Sequence, residues 1–254
     1  MPIPATIDPV TTAAVLAVFL LGGIVKGALG FGLPLTAMAI LPFLISVEAA
    51  LAINALILVA TNVAQFVQMR QMRETVLRFA PVLWGIAIGV AGGTAMVSLF
   101  SDDALLVTLG GAVVGFTALS VAAPNLRLPP AGERPFGFLA GISGGVLMPL
   151  TTVGGPMYVM YLVGLSVDRR VFLSAVSLFL LVSSVLIVGA FIIVGMFDGE
   201  RLLLAALALP AAIAGMSAGN RLGARLPAAR FRMLVLGILG VLGLNLLWRG
   251  LSGG

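Results

Sequence analysis

The chain contains no cysteine and no histidine. Their absence removes disulfides, thiol chemistry, Cys or His metal sites, haem with a His or Cys axial ligand, and any nucleophile activated by histidine. No metal or cofactor is expected, and few enzyme chemistries remain. Charge is also scarce: Asp, Glu, Lys and Arg make up 9% of the residues, against 61% hydrophobic ones. That leaves no room for a sizeable water-soluble domain. Lysine occurs once, as Lys26, so 13 of the 14 basic residues are arginine. Every carboxylate (Asp8, Glu48, Glu74, Asp102, Asp103, Glu133, Asp168, Asp198, Glu200) falls at or near the end of an apolar segment, which leaves no evident intramembrane proton relay. The net charge of +5 does not indicate nucleic acid, because most arginines sit in short loops between apolar segments.

What the chain has instead is long apolar runs, roughly over 11–45, 49–69, 79–100, 104–122, 136–165, 171–196, 202–220 and 233–251. Crossing a bilayer takes about 20 residues, so the expected class is an all-α polytopic membrane protein. The stretch before Lys26 carries only Asp8 as a charged side chain, unlike the basic start of a signal peptide, so the first apolar segment is expected to be retained. The longest loop, residues 124–135, is rich in proline and charge and reads as a linker between a first membrane repeat, 1–123, and a second, 136–254.

The halves resemble each other. Two apolar runs are interrupted by glycines followed by a proline: Gly27, Gly30, Gly32 and Pro34 in the first half, and Gly144, Gly145, Gly154, Gly155 and Pro156 in the second. Pro34 and Pro156 are 122 residues apart; at the same offset Gly32 matches Gly154, and Thr61 and Asn62 match Ser183 and Ser184. A membrane helix is interrupted at depth only where its backbone is buried in protein or lines a cavity, and a pair of interruptions in corresponding halves points to a transporter's binding site.

Loop charge orients the halves. If each interrupted segment crosses once, the arginines divide seven to six between the two sides and give no bias. If each is a hairpin returning to its starting side, eleven (Arg70, Arg73, Arg78, Arg127, Arg134, Arg169, Arg170, Arg221, Arg225, Arg230 and Arg232) lie inside and only Arg201 and Arg249 outside. That positive-inside pattern selects two inverted repeats, each a broken helical hairpin plus three transmembrane helices, with both termini outside. The hairpin arms are expected to be short, about 13–18 residues, and so marginal for a full crossing.

Pro34 and Pro156 suit the first turn of a helix, where the missing N–H would be unpaired anyway. The glycines before them let the chain turn and leave backbone N–H groups free, and two such positive helix ends meeting at the membrane midplane would suit an oxyanion. The plainer reading is that Gly and Pro are common in membrane helices and that small residues permit close packing. The candidate substrate-binding residues are Lys26, Gly30, Gly32, Leu33, Pro34, Asn62, Gln65, Thr151, Thr152, Gly154, Gly155 and Tyr158. Lys26 would balance the anion's charge, or else snorkel to a nearby surface. Thr151 and Thr152 would donate to an oxyanion, cap the following helix, or both. Asn54, Thr61, Asn62 and Gln65 share one helical face, and Ser174, Ser177, Ser183 and Ser184 occupy the equivalent segment; such groups line a pore or bind helices together. Tyr158 and Tyr161 lie near the site if the second break is deep, and at the membrane interface otherwise. The arginines from 221 to 232 read as a topology signal.

The run from Gly23 through Lys26, Gly27, Gly30, Gly32 and Pro34, with Gly141, Gly145 and Gly154 to Pro156, resembles the TauE/SafE family of membrane permeases over nearly the whole chain. This chain differs in having Met148, Pro149 and Leu150 between its second pair of glycine groups. The resemblance implies a secondary transporter of sulfite, sulfonates or related sulfur-containing anions in a bacterial-type inner membrane, often exporting. The residues themselves support a small anion. The expected partners are that anion and the lipid bilayer, with room for a homodimer. An anion channel of the same architecture, a permease for another small carboxylate, and a scaffold without flux are the other readings.

Overall fold

The structure is a computed structural model that describes residues 8–67, 72–97, 99–122, 127–129, 132–223 and 228–252. Arg70, Arg225 and parts of the expected linker (124–126, 130 and 131) lie outside the described residues. Helix α1, Pro9–Leu29, begins where the Asp8 carboxylate accepts the Thr11 N–H at 3.0 Å, with proline in its first turn. It is followed by α2 (Leu33–Ile40), a 3-10 turn (Leu41–Phe43), α3 (Val47–Val67), α4 (Met72–Arg78), α5 (Ala80–Val97) and α6 (Asp102–Ala122). The second half has α7 (Glu133–Thr151), α8 (Gly155–Gly164), α9 (Arg169–Ile193), α10 (Gly199–Gly223) and α11 (Ala228–Ser252). Asp168 caps α9, accepting the N–H groups of Arg170 and Val171 at 2.8 and 3.0 Å. Among the described residues six helices are long and apolar enough to span a bilayer, and there is no strand.

Elements 122 residues apart play the same parts. The ends of α1 and α7, the starts of α2 and α8, and the starts of α3 and α9 all keep this offset. The packing is reciprocal: α1 lies along α10 and α7 along α5, while α3 crosses α9 and α6 lies along α11. Glycines set both close seams. A Cβ on Gly23 would stand 2.3 Å from the Ala212 carbonyl oxygen, and one on Gly27 would stand 2.1 Å from that of Met216. In the other seam a Cβ on Gly85 would stand 2.4 Å from the Phe138 carbonyl oxygen and one on Gly93 would stand 2.5 Å from that of Val146. Residue numbers rise together in each pair, so α1 runs parallel to α10 and α5 parallel to α7.

The interrupted segments are hairpins. Helix α8 runs back along α7: Gly144 lies against the Tyr158 ring, and the Tyr161 hydroxyl donates to the Glu133 carbonyl at 2.9 Å. The Leu128 N–H bonds the Gly164 carbonyl at 2.7 Å, so the hairpin ends beside the point where it started. In the first half, Leu33 at the start of α2 packs against Gly22, two turns before α1 ends.

Ion pairs mark the two ends of the bundle. At one, Arg201 reaches Glu48 at 3.5 Å and Asp198 at 3.1 Å, and the Arg249 guanidinium sits 4.7 Å from the centre of the Phe43 ring. At the other, Arg78 pairs with Glu133 at 2.7 Å; this bond holds the guanidinium above its ordinary pKa. The Arg201–Glu48 and Arg78–Glu133 pairs each join one half of the chain to the other.

Two expectations about the breaks are corrected. The arms are unequal: α1 and α7 have 21 and 19 residues, α2 and α8 only 8 and 10. The interruptions are also shorter than the glycine runs, covering only residues 30–32 and 152–154. Gly27, Gly141, Gly144 and Gly145 stay helical, as does Pro149, because in a low-water interior no solvent competes for the helical backbone bonds and bare backbone is useful for close packing.

Candidate functional site

One turn before the first break, α1 carries Lys26, which is 2% exposed. Its ammonium donates to the Thr61 hydroxyl at 3.0 Å and to the Asn62 side-chain oxygen, both on α3. Thr61 in turn donates to the Ile57 carbonyl at 2.8 Å. The Asn62 amide nitrogen crosses to α9, donating to the Leu180 carbonyl at 3.0 Å and the Ser184 hydroxyl at 3.3 Å. Asn62 and Ser184 are equivalent positions of the two halves in direct contact, which places this bond at the centre of the α3–α9 crossing. The ion pairs among the described residues are confined to Arg78 and Arg201, so no carboxylate answers the lysine. An ammonium has three N–H groups, and two are engaged here.

Gly30 closes α1 in the left-handed conformation (φ 85°), its N–H on the Lys26 carbonyl at 2.7 Å. The Gln65 amide nitrogen covers the Gly30 carbonyl at 2.9 Å. Gly32, also left-handed (φ 108°), precedes α2, whose first residues are the buried Leu33 and Pro34; no side chain caps this helix. In the second half Thr152 takes the place of Gly30, with φ 55°. A β-branched residue in that region costs on the order of 1–3 kcal/mol. Its contacts offset the strain: the N–H bonds the Met148 carbonyl at 2.7 Å, and the hydroxyl donates to the Thr151 carbonyl and accepts from the Asn54 amide, both at 2.7 Å. Beyond it Gly155 and Pro156 open α8, and the Tyr158 hydroxyl shares a 2.8 Å bond with Ser183, next to Ser184.

The two breaks do not meet. The first lies against Gln65 and the second against Asn54, which are eleven residues, or roughly 16 Å, apart along α3. The expected meeting of two helix ends at mid-depth is therefore replaced by the Lys26–Asn62–Ser184 contact between them. The cause is the length of the first arms: each runs most of the way across before it turns. Of the sequence candidates, the structure joins Lys26 to Asn62 and Gln65 to Gly30. It leaves Thr151, Thr152, Gly154, Gly155 and Tyr158 on the other side of the crossing. Thr61, Leu180 and Met148 were missing from the candidate set. Carrying the 122-residue offset from Lys26 to Met148 is the signal that finds the last of these.

A family model described as Sulfite exporter TauE/SafE matches residues 15–246. No curated protein and no solved structure matches the chain.

Proposed function

The chain belongs to the sulfite exporter TauE/SafE family and is a multi-pass membrane protein; on that premise we propose that it carries a small sulfur-containing oxyanion, sulfite or a sulfonate, across a bacterial-type inner membrane by alternating access, in the direction of export. One observation carries the choice of an anion: Lys26 is buried without a carboxylate and keeps one N–H unused. An isolated buried cation is costly, and a bound anion would supply the missing charge. In this reading Gly30, Gly32, Leu33 and Pro34 at the first break, with Asn62 and Gln65, and Thr151, Thr152, Gly154, Gly155 and Tyr158 at the second, form the path between the hairpins. A homodimer forms no part of it.

Purified protein in proteoliposomes loaded with radiolabelled sulfite or taurine should show saturable efflux, accelerated by unlabelled substrate on the opposite side. A flux linear in concentration and indifferent to trans substrate would mean a channel, and no flux of any sulfur oxyanion would end the transport reading.

We further read the halves, 1–123 and 136–254, as inverted repeats with both termini outside. The return of the second hairpin to its starting point supports this, as does the gathering of Glu48, Asp198 and Arg201 at one end, which two parallel repeats would separate. The wild type has no cysteine, so single cysteines report sidedness directly. Ala5→Cys should label with an impermeant maleimide from outside and Arg73→Cys only from inside; labelling of residue 5 from the cytoplasm overturns the arrangement.

A further inference from the structure

The two breaks are equivalent in place but opposite in chemistry. In the second, the Thr151 hydroxyl accepts the Val153 N–H at 3.0 Å and the Met148 sulfur accepts the Gly154 N–H at 3.2 Å. The corresponding positions of the first break, 122 residues earlier, are Leu29, Phe31, Lys26 and Gly32. Leucine offers no acceptor, and lysine is a donor whose ammonium is turned toward α3. Among the described residues the N–H groups of Phe31 and Gly32 accordingly find no partner. Gln65 occupies the Gly30 carbonyl through its amide nitrogen and leaves its own buried Oε1 unpartnered, so the free backbone donors of Phe31 and Gly32 stand beside one side-chain acceptor. Burial differs in the same sense: residues 152–155 are buried throughout, while Gly30 and Phe31 are partly exposed.

A separate feature on α9 points to a ligand here. Ser177 is fully buried and its hydroxyl has no partner. It lies one turn after Leu173, whose side chain stands 3.1 Å from a Cβ built on Gly30, and two turns before Ser184, which bonds Asn62. Positions 173, 177 and 184 share a helical face, which places Ser177 between the first break and the Lys26–Asn62 contact, its hydroxyl buried there without a partner.

We propose that the first break alone holds the oxyanion head of the substrate, between the N–H groups of Phe31 and Gly32, the Ser177 hydroxyl and the remaining N–H of Lys26, while the second break is a self-capped structural turn. This inference rests on the transport reading and narrows it. With a single cation in reach, the site takes a monoanion, a sulfonate or bisulfite, in preference to a dianion such as sulfate. An uncapped helix start and one ammonium match one negative charge; a second charge would be buried without compensation.

The test is isothermal titration of purified full-length protein with methanesulfonate and with sulfate. Methanesulfonate should bind at one site per chain, about tenfold or more tighter than sulfate. Ser177→Val and Ser177→Thr fill nearly the same volume and differ by the hydroxyl. The valine variant should weaken binding about tenfold or more and the threonine variant should keep it, with unchanged melting temperature in both. Met148→Leu, which uncaps only the second break, should bind within roughly twofold of wild type. Two sites per chain, or weakening by Met148→Leu with none by Ser177→Val, overturns the single site. Sulfate binding as tightly as methanesulfonate overturns the monoanion assignment. If the wild type binds no sulfur oxyanion at all, the transport reading falls and this inference with it.

Discussion

Lys26→Met should abolish sulfite or sulfonate flux while leaving the protein folded. Methionine keeps the length of the side chain and is the residue that stands at the equivalent position of the second half, Met148. Losing a buried, hydrogen-bonded charge partner typically costs about 3–5 kcal/mol of binding, and about 1.4 kcal/mol is tenfold, so affinity should fall by at least about 100-fold. Stability moves differently. The substitution removes the cost of holding an unpaired ammonium at 2% exposure. Thr61 keeps its bond to the Ile57 carbonyl, and the Asn62 amide nitrogen keeps Leu180 and Ser184. The Thr61 hydroxyl oxygen and the Asn62 side-chain oxygen lose their donor; Thr61 still bonds through its own O–H, so the main penalty is the bare Asn62 oxygen, about 1–3 kcal/mol, which opposes the relief of the buried charge. The two terms are of similar size, so the melting temperature should change little. Flux in proteoliposomes and a thermal melt on the same preparation separate the outcomes. A variant that transports normally would remove Lys26 from the site, and one that unfolds would assign it a structural role.

Particular residues show how far the sequence could be read. The offset between Pro34 and Pro156 points to equivalent breaks, and the lone lysine, Lys26, and Asn62 both stand among the candidate residues of the sequence; the structure brings them together. Helical spacing put Asn54, Thr61, Asn62 and Gln65 on one face, and all four bond inward from α3. Gly27, Gly144 and Gly145 belong by sequence to the interruptions yet sit inside helices, because a glycine at membrane depth serves a turn or a seam equally well and only the partner helix decides. The depth of the breaks was not legible for a related reason: it depends on where α1 and α7 cease to be helical, and Thr152 ends α7 in a left-handed conformation that a threonine does not announce. The capping of Gly154 by the Met148 sulfur depends on a long-range turn geometry that spacing alone does not convey.

Gly219→Leu should prevent the protein from reaching a monodisperse folded state. A Cβ at this position would lie 2.1 Å from the Ile24 carbonyl oxygen, and one at Gly215 would lie 2.1 Å from that of Leu20. The obstacle is backbone on the facing helix, which no rotamer change can relieve. The Gly23 and Gly27 contacts on α1 close the same seam from the other side, so α1 and α10 would have to separate by about 1 Å or more to restore ordinary contact distances. Overpacking in a core that can relax costs about 1–3 kcal/mol; this one cannot relax locally, and loss of the whole seam lies beyond that range. Packing, rather than water exclusion, holds membrane helices together, so the lost contacts have no substitute in lipid. Gly111→Leu is the matched control, because nothing lies within 4 Å of a Cβ there, and it should leave yield and melting temperature near wild type. Size-exclusion profiles and thermal melts of the pair decide the matter: equal behaviour would mean that α1 and α10 do not approach this closely. Unequal behaviour would bear on transport as well, since α1 carries Lys26 and any movement of α1 against α10 shifts the ammonium relative to Asn62.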